Sequence, residues 1–488
     1  MAVCFAFSWL GALSAGQTGG DASCSRLMSM SMPGVNVQKA SIDSSTDAAR
    51  PFCRVAASLA PTNDSDIKIE VWLPTTNWNQ KFQAVGNGGF SGSINYAAMT
   101  AAIGRGYATA STDTGHSGAT AGFAPGHPEK VIDFGWRSVH EMTVVSKRLI
   151  AAFYEQTPRL SYWTGCSAGG RQALKEAQRF PADFDGIVAG SPGLDWTGRA
   201  AGALRMAQRL RKNEAARLSQ SQVRLLHAAV LQACDARDGA TDDVIDDPRH
   251  CAFDPGVLQC RGTADDSCLT PPQVETVRMM YAAQINRNTR REIPALYRGS
   301  ELGWTETGWS GGAQTIGLDQ FRYLVFKDPR WDLAVFDFDR DLPRAEEADQ
   351  DTINALDPDI RSFVDRGGKL IQYHGWNDPQ ISPGISVQYY DRVAAVLGNA
   401  ARMRTAYRLF MAPGMGHCGG GEGPNTFDML GALEQWVEHG KPPDRIIASR
   451  RADGVVARTR PLCPYPQVAI YNGRGTTDDA ANFVCGTR

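Results

Sequence analysis

From about residue 66 to residue 195, apolar runs of strand length alternate with amphipathic stretches of helix length, and this alternation restricts the fold more than any other feature. DIKIEVWLP at 66–74 sets Ile67, Ile69, Val71 and Leu73 on one side, the pattern of a half-buried strand. KFQAVGNGG at 81–89, GYATASTDTG at 106–115, RLSYWTG at 159–165 and FDGIVAGSPG at 184–193 are further apolar runs that end in turn-rich segments. Helical patterns lie between them, the longest at 132–156 with Phe134, Val139, Val144, Leu149 and Phe153. Strands alternating with helices predict an α/β fold, a mainly parallel sheet with helices on both faces.

After about residue 195 the pattern breaks. Residues 196–350 hold Arg/Ala/Gln-rich helical stretches, four cysteines, an acidic cluster and a Trp/Gly-rich passage, ELGWTETGWSGG, at 301–312. Strand signals resume with KLIQYHG at 369–375 and YRLFMAPG at 407–414. A helix pattern carried by Phe427, Leu430, Leu433 and Val437 follows, with Gly440 placed as its stop. The expectation is one α/β domain made of 16–195 and 351–488, interrupted by a cap at 196–350. A chain of 488 residues exceeds what one hydrophobic core of about 250–300 residues supports, which agrees.

Fifty Lys and Arg against 52 Asp and Glu leave a formal charge of −2, so no broad basic surface is on offer to nucleic acid or anionic lipid. The apolar start, MAVCFAFSWLGALSAGQ, reads as a leader over residues 1–15 without a basic n-region. No other run nears the 18 or so apolar residues that span a bilayer, so no integral membrane segment is expected. Of eleven cysteines, Cys4 falls in the leader and ten are left. None shows CxxC spacing, and an even number fits disulfides and a secreted or periplasmic location.

Gly165-Cys166-Ser167-Ala168-Gly169 fits G-x-S-x-G, the sharp strand-to-helix turn that lifts a serine hydroxyl above a sheet edge. RLSYWTG precedes it as a strand, and GRQALKEAQRF follows as a helix with Ala173, Ala177 and Phe180 on its inner face. Such a serine needs a base, and the base an orienting carboxylate. His417 lies in PGMGHCGGG, a glycine-rich loop directly after a strand, and Asp378 lies in HGWNDPQISP after the preceding strand. The order Ser167, Asp378, His417 is that of α/β-hydrolases. His374 is a rival base nearer the strand end, while His140 and His227 sit inside helical patterns. Cys166 precedes the serine and Cys418 follows His417. A bond between them would close a loop of about 250 residues and bring both turns within disulfide range; two free thiols are the alternative.

Taken together, GCSAGGRQALKEAQRFPADFDGIVAGSPG, HGWNDPQISP and GMGHCGGG resemble the tannase and feruloyl esterase family. The similarity continues through GNGGFSG at 86–92 and DFGWRSVHEMTVVSKRLI at 133–150. The resemblance implies an α/β-hydrolase core with a lid inserted between nucleophile and acid. It further implies the pairings Cys166–Cys418, Cys260–Cys268 and Cys463–Cys485; Cys234 and Cys251 bracket an acidic loop, and Cys24 is left with Cys53. Family members hold a structural calcium in the lid, and CDARDGATDDVIDDP offers the carboxylates of Asp235, Asp238 and Asp242 with the carbonyls of Ala240 and Val244. Clustered carboxylates repel unless a hard cation sits among them, and a solvated acidic loop is the other reading.

The expected chemistry is acyl transfer on esters of phenolic aromatic acids, small or polysaccharide-linked, with no organic cofactor. Ala168 would give one backbone N–H to the oxyanion, and Gly88 or Gly89 the second. Trp304, Trp309 and Tyr297 are candidates to stack on the acid. The alternatives are a calcium-stabilised binding protein with a vestigial triad, and a peptidase on the same fold.

Overall fold

The computed structural model describes residues 15–44, 50–305 and 312–487. Residues 1–14 of the leader and Trp309 therefore lie outside the described residues. After helix α1 (Ala15–Arg26) come strands β1 (Val35–Asp43), β2 (Phe52–Leu59), β3 (Ile67–Pro74) and β4 (Lys81–Val85). Helix α2 (Tyr96–Gly104), strand β5 (Ala108–Thr112) and helices α3 (Pro128–Ile132) and α4 (Ser138–Tyr154) follow. Next are β6 (Leu160–Cys166), α5 (Ala168–Arg179) and β7 (Gly186–Gly190).

A helical insertion then runs through α6 (Trp196–Lys212), α7 (Gln220–Cys234) and α8 (Pro271–Met280). It continues with a short hairpin of β8 (Gln284–Ile285) and β9 (Glu292–Ile293), then α9 (Gly312–Asp319) and α10 (Phe338–Asp349). The chain returns through α11 (Arg361–Asp365), β10 (Lys369–Gly375), α12 (Gly384–Leu397), α13 (Ala400–Ala406), β11 (Tyr407–Ala412) and α14 (Met429–His439). A hairpin of β12 (Ile446–Ala452) and β13 (Val455–Leu462) comes after it.

Nine strands make one sheet in the order β1-β2-β3-β5-β4-β6-β7-β10-β11. The pairings from β1 to β5 are antiparallel, and every pairing from β5 through β4, β6, β7 and β10 to β11 is parallel. One face is covered by α4, α5 and α12, with Leu149, Leu174 and Val393 in the core. The other is covered by α2 and α14, with Ile103 and Leu433 inward. This is an α/β-hydrolase core carrying a large inserted lid. The half-buried reading of β3 is corrected: Ile67, Ile69, Val71 and Leu73 are buried, and so are Glu70 and Trp72 on the opposite side. There Trp72 stacks on Phe52 and donates its indole N–H to Glu70, so a polar residue is buried by being paired.

The insertion has cores of its own, one around Leu226, Val230, Val274 and Trp304, another around Leu204, Phe321, Trp331 and Phe336. Trp304 is wholly buried there and donates to the Ser300 hydroxyl, while Tyr297 packs edge-on against Trp376. Neither is among the residues that line the Ser167 cavity; aromatic area in a small subdomain is first used to fill its core.

Among the described residues there are five disulfides: Cys24–Cys53, Cys166–Cys418, Cys234–Cys251, Cys260–Cys268 and Cys463–Cys485. Among the described residues no helix is long and apolar enough to cross a membrane.

Candidate active site

Three parallel strands deliver the side chains. Ser167 stands between β6 and α5 at φ 63° and ψ −119°, a backbone geometry that a non-glycine residue adopts only when its surroundings enforce it. The enforcement is visible. Ser167 N–H donates to the Gly190 carbonyl at 3.0 Å, and its own carbonyl accepts from Arg171 at 3.0 Å and Gly193 at 3.1 Å. The flanking glycines are required by contact, since a Cβ on Gly165 would lie 2.6 Å from the Gly169 carbonyl carbon. Gly169 in turn donates to the Asn87 carbonyl at 2.7 Å, locking the GNGG loop against the turn. The Asn87 side chain donates to the Ser93 and Thr112 carbonyls and accepts from Gln172. Asn87 was not singled out from the sequence, although its place in GNGG was visible.

Asp378 follows β10 and is fully buried. Its Oδ1 accepts from the N–H groups of Gln380 at 2.8 Å and Ile381 at 2.9 Å. Its Oδ2 lies 2.7 Å from His417 Nδ1 and 3.1 Å from His374 Nε2. Burial alone would raise its pKa, but the charge of His417 and hydrogen bonds from both imidazoles hold it well below the usual carboxylate range.

The two histidines are thereby told apart. Nε2 of His374 faces only acceptors, Asp378 and the Ile381 carbonyl, so it carries the proton and Nδ1 accepts from the Ser386 hydroxyl at 2.7 Å. His374 is completely buried and braces Asp378. His417, after β11, gives its Nδ1–H to Asp378, which leaves the Nε2 lone pair of the neutral ring available as a base. Ser167 and His417 line one cavity of about 730 Å³. Among the described residues the Ser167 hydroxyl makes no hydrogen bond to the His417 ring; such contacts often tighten only around substrate.

The Cys166–Cys418 disulfide ties the two turns, with Cα atoms 5.9 Å apart. Gly88 and Gly89 also line the cavity, and Ala168 is the first residue of α5, where a backbone N–H has no intrahelical partner. Tyr373, Phe427, Gln380 and, from the insertion, Ile316 are among the other wall residues. Burial pushes the Tyr373 hydroxyl up to about 12, so it remains a neutral donor. Gln380 lies in the HGWNDPQISP motif, whereas Tyr373, Phe427 and Ile316 have no sequence signal that sets them apart from core residues. Phe427, expected in the last helix, precedes α14 and is free to face the cavity.

The acidic loop lies elsewhere, between α7 and the C-terminal hairpin. Among the described residues no three of His, Cys, Asp and Glu stand together as a metal site. The donor chemistry still fits a hard cation. Oδ1 of Asp242 is buried without a hydrogen-bond partner, and Ala240 and Val244 are buried beside it in sequence. Burial and the charges of Asp242 and Asp243 raise the Asp235 pKa against the amides that cap it. Asp238 accepts from the N–H groups of Ala240 and Asp246. Arg460 of β13, itself buried, pairs with Asp242 and with Asp246, the latter at 3.0 Å.

The family model described as tannase and feruloyl esterase matches residues 53–486. The chain is 37% identical to an uncharacterized esterase of Xanthomonas campestris pv. campestris over 95% of this chain and 91% of that one. It is 33% identical to feruloyl esterase B of Aspergillus niger, covering 92% and 89%. The crystal structure of feruloyl esterase B from Aspergillus oryzae superposes with a TM-score of 0.91 at 31% identity, covering 96% of this chain and all of that one.

Proposed function

This chain belongs to the tannase and feruloyl esterase family and is a carboxylic ester hydrolase, and we propose that it cleaves esters of phenolic aromatic acids through Ser167, His417 and Asp378. The observation that carries the residue roles is the short Nδ1 contact from His417 to a buried Asp378 on a loop bonded covalently to the serine turn. His417 Nε2 takes the hydroxyl proton as Ser167 attacks the ester carbonyl; the alcohol leaves with that proton, and water activated by the same nitrogen releases the acid. Asp378 stays ionised throughout and stabilises the imidazolium. Negative charge on the carbonyl oxygen is met by the Ala168 N–H and that of Gly88 or Gly89, each contributing about 2.7–4 kcal/mol to the transition state. Tyr373 and Phe427 offer aromatic surface to the substrate.

The substrate class rests on the kinship with enzymes named feruloyl esterase B. Five disulfides suit an oxidising compartment, so secretion or periplasmic export is part of the reading. Calcium would be held by Asp235, Asp238, Ala240, Asp242 and Val244, where it would cancel carboxylate repulsion and stiffen the loop without entering the reaction.

The test is a panel of methyl ferulate, methyl gallate and peptide amides with wild type and Ser167→Ala. Hydroxycinnamoyl or galloyl ester turnover, lost in the folded variant, supports the proposal. Turnover of amides in place of esters, or retained turnover in Ser167→Ala, contradicts it. Chelation with EGTA should lower the melting temperature by several degrees and calcium restore it; an unchanged transition removes the metal.

A further inference from the structure

We infer that His227 is a positioning residue for His417, because it bridges Glu301 of the insertion to Glu422 of the loop that carries the proposed base. The inference rests on the Ser167–His417 reading above.

Residues 414–423, GMGHCGGGEG, include six glycines, three of which (Gly414, Gly420 and Gly421) have φ between 66° and 82°. Such a segment has little conformational preference of its own and must be held from outside. Asp378 holds it at His417 and the disulfide holds it at Cys418. Its distal limb is held at Glu422, whose N–H donates to the Gly414 carbonyl at 2.9 Å and whose carbonyl accepts from Arg450 at 2.7 Å. The Glu422 side chain leaves the loop and meets His227 on α7, with Nε2 to Oε2 at 2.7 Å. On the other side of the ring, Nδ1 lies 2.7 Å from Glu301 Oε2.

Two carboxylate acceptors, one at each ring nitrogen, require an N–H on both, so the ring that makes this bridge is an imidazolium. A neutral ring keeps one hydrogen bond and sets a lone pair against the other carboxylate. The surrounding charged and titratable groups are Glu301 and Glu422 themselves, Tyr281, Arg298 and Arg450. Tyr281 donates to Glu301 Oε1, and Gly299 N–H donates to both Glu301 oxygens, which fixes that carboxylate as an acceptor. Arg298 lies over the Tyr281 ring at 4.4 Å, and Arg450 donates to the Glu422 carbonyl. Burial works against the charged form of His227, but hydrogen bonds and charge from Glu301 and Glu422 outweigh it and push its pKa up to about 9. Below that pH the insertion and the base loop are clamped together. Above it the clamp between α7 and the base loop is weakened.

The experiment measures kcat and KM for p-nitrophenyl acetate from pH 6 to 10, with spontaneous hydrolysis subtracted, together with amide exchange over residues 414–423 at pH 7. Wild type should lose kcat with a midpoint near pH 9 at nearly constant KM. In His227→Gln, kcat at pH 7 should fall about tenfold with KM within about twofold, the limb near pH 9 should vanish, and exchange over 414–423 should quicken; a misplacement of a fraction of an ångström suffices for a loss of that size. Glu422→Gln, at a half-exposed position, keeps a hydrogen bond but removes one charge, so its alkaline limb should move to lower pH. Should His227→Gln not fold, that shift decides alone. An active wild type with an unmoved limb in Glu422→Gln, or a folded His227→Gln with wild-type kcat and exchange, overturns the inference. A wild type that hydrolyses no ester overturns the catalytic reading instead, whatever the loop does.

Discussion

Replacing both members of the Cys166–Cys418 bond by alanine should separate stability from chemistry in one protein. The bond spans 252 residues. In the chain-entropy description, removing a cross-link of that span returns about 18–19 cal/mol/K to the unfolded chain, which is about 5.5 kcal/mol at 25 °C and serves as an upper bound. The native state loses little else, since Asp378 still holds His417 and the Gly190, Arg171 and Gly193 contacts still hold Ser167. The effect on activity has a different origin. Without the bond, the base loop is set relative to the serine turn only by noncovalent contacts, and an excursion of about 1 Å costs on the order of 100-fold in rate. Guanidinium unfolding followed by circular dichroism, with kcat for methyl ferulate on the same preparation, reads both. The expected result is a lower midpoint at unchanged slope and a kcat reduced at least tenfold. A double variant with the wild-type midpoint and the wild-type kcat would refute the reasoning, because neither the cross-link nor the alignment would then depend on the sulfurs.

Gly165→Ala should destabilise the fold by about 1–3 kcal/mol and depress activity, as its Cβ would fall 2.6 Å from backbone of Gly169; thermal melting and kcat check it. Asp378→Asn should lower kcat by about four orders of magnitude while the circular dichroism spectrum stays native, because the amide no longer enforces the Nδ1–H tautomer of His417. The folded-state pKa of His227 exceeds the unfolded value of 6.5, so its stabilisation is complete below about pH 6.5 and is lost as pH rises through about 9. At 1.36 kcal/mol per pH unit this amounts to about 3 kcal/mol for a residue 5% exposed, and denaturant titrations at pH 7 and 10 should show a smaller difference in His227→Gln than in wild type. Arg171, wholly buried, donates to the carbonyls of Phe134, Gly135 and Ile353; Arg171→Ala should cost on the order of 3 kcal/mol in a melt or denaturant titration by stranding those acceptors.

Seven of the nine strands of the sheet were legible because strand and helix periodicities are local properties, while β1 and β2 were not singled out; the nucleophile turn was legible because its glycines are demanded by backbone contacts only a few residues apart. Asp378 and His417 were legible from their places after successive strands. What periodicity left open was the choice between His374 and His417, since it turns on which ring nitrogen finds acceptors, a matter of three loops meeting. The second covered side of β3 was invisible because Glu70 and Trp72 are buried through cross-strand partners that the alternation does not encode. Trp304 shows the converse: an aromatic residue in a cap looks the same in sequence whether it serves the cap's own core or a ligand. Tyr373, Phe427 and Ile316 converge from separate elements, so nothing in the order of residues announced the cavity wall. The His227–Glu422 contact joins residues 195 positions apart and had no local pattern to reveal it.

The most direct test of a nucleophilic Ser167 activated by His417 is peptide mapping by mass spectrometry after exposure to a fluorophosphonate. One adduct is expected, on the peptide containing Ser167, absent from His417→Ala treated in parallel. An unlabelled Ser167 in active enzyme, or equal labelling without the imidazole, would contradict the account.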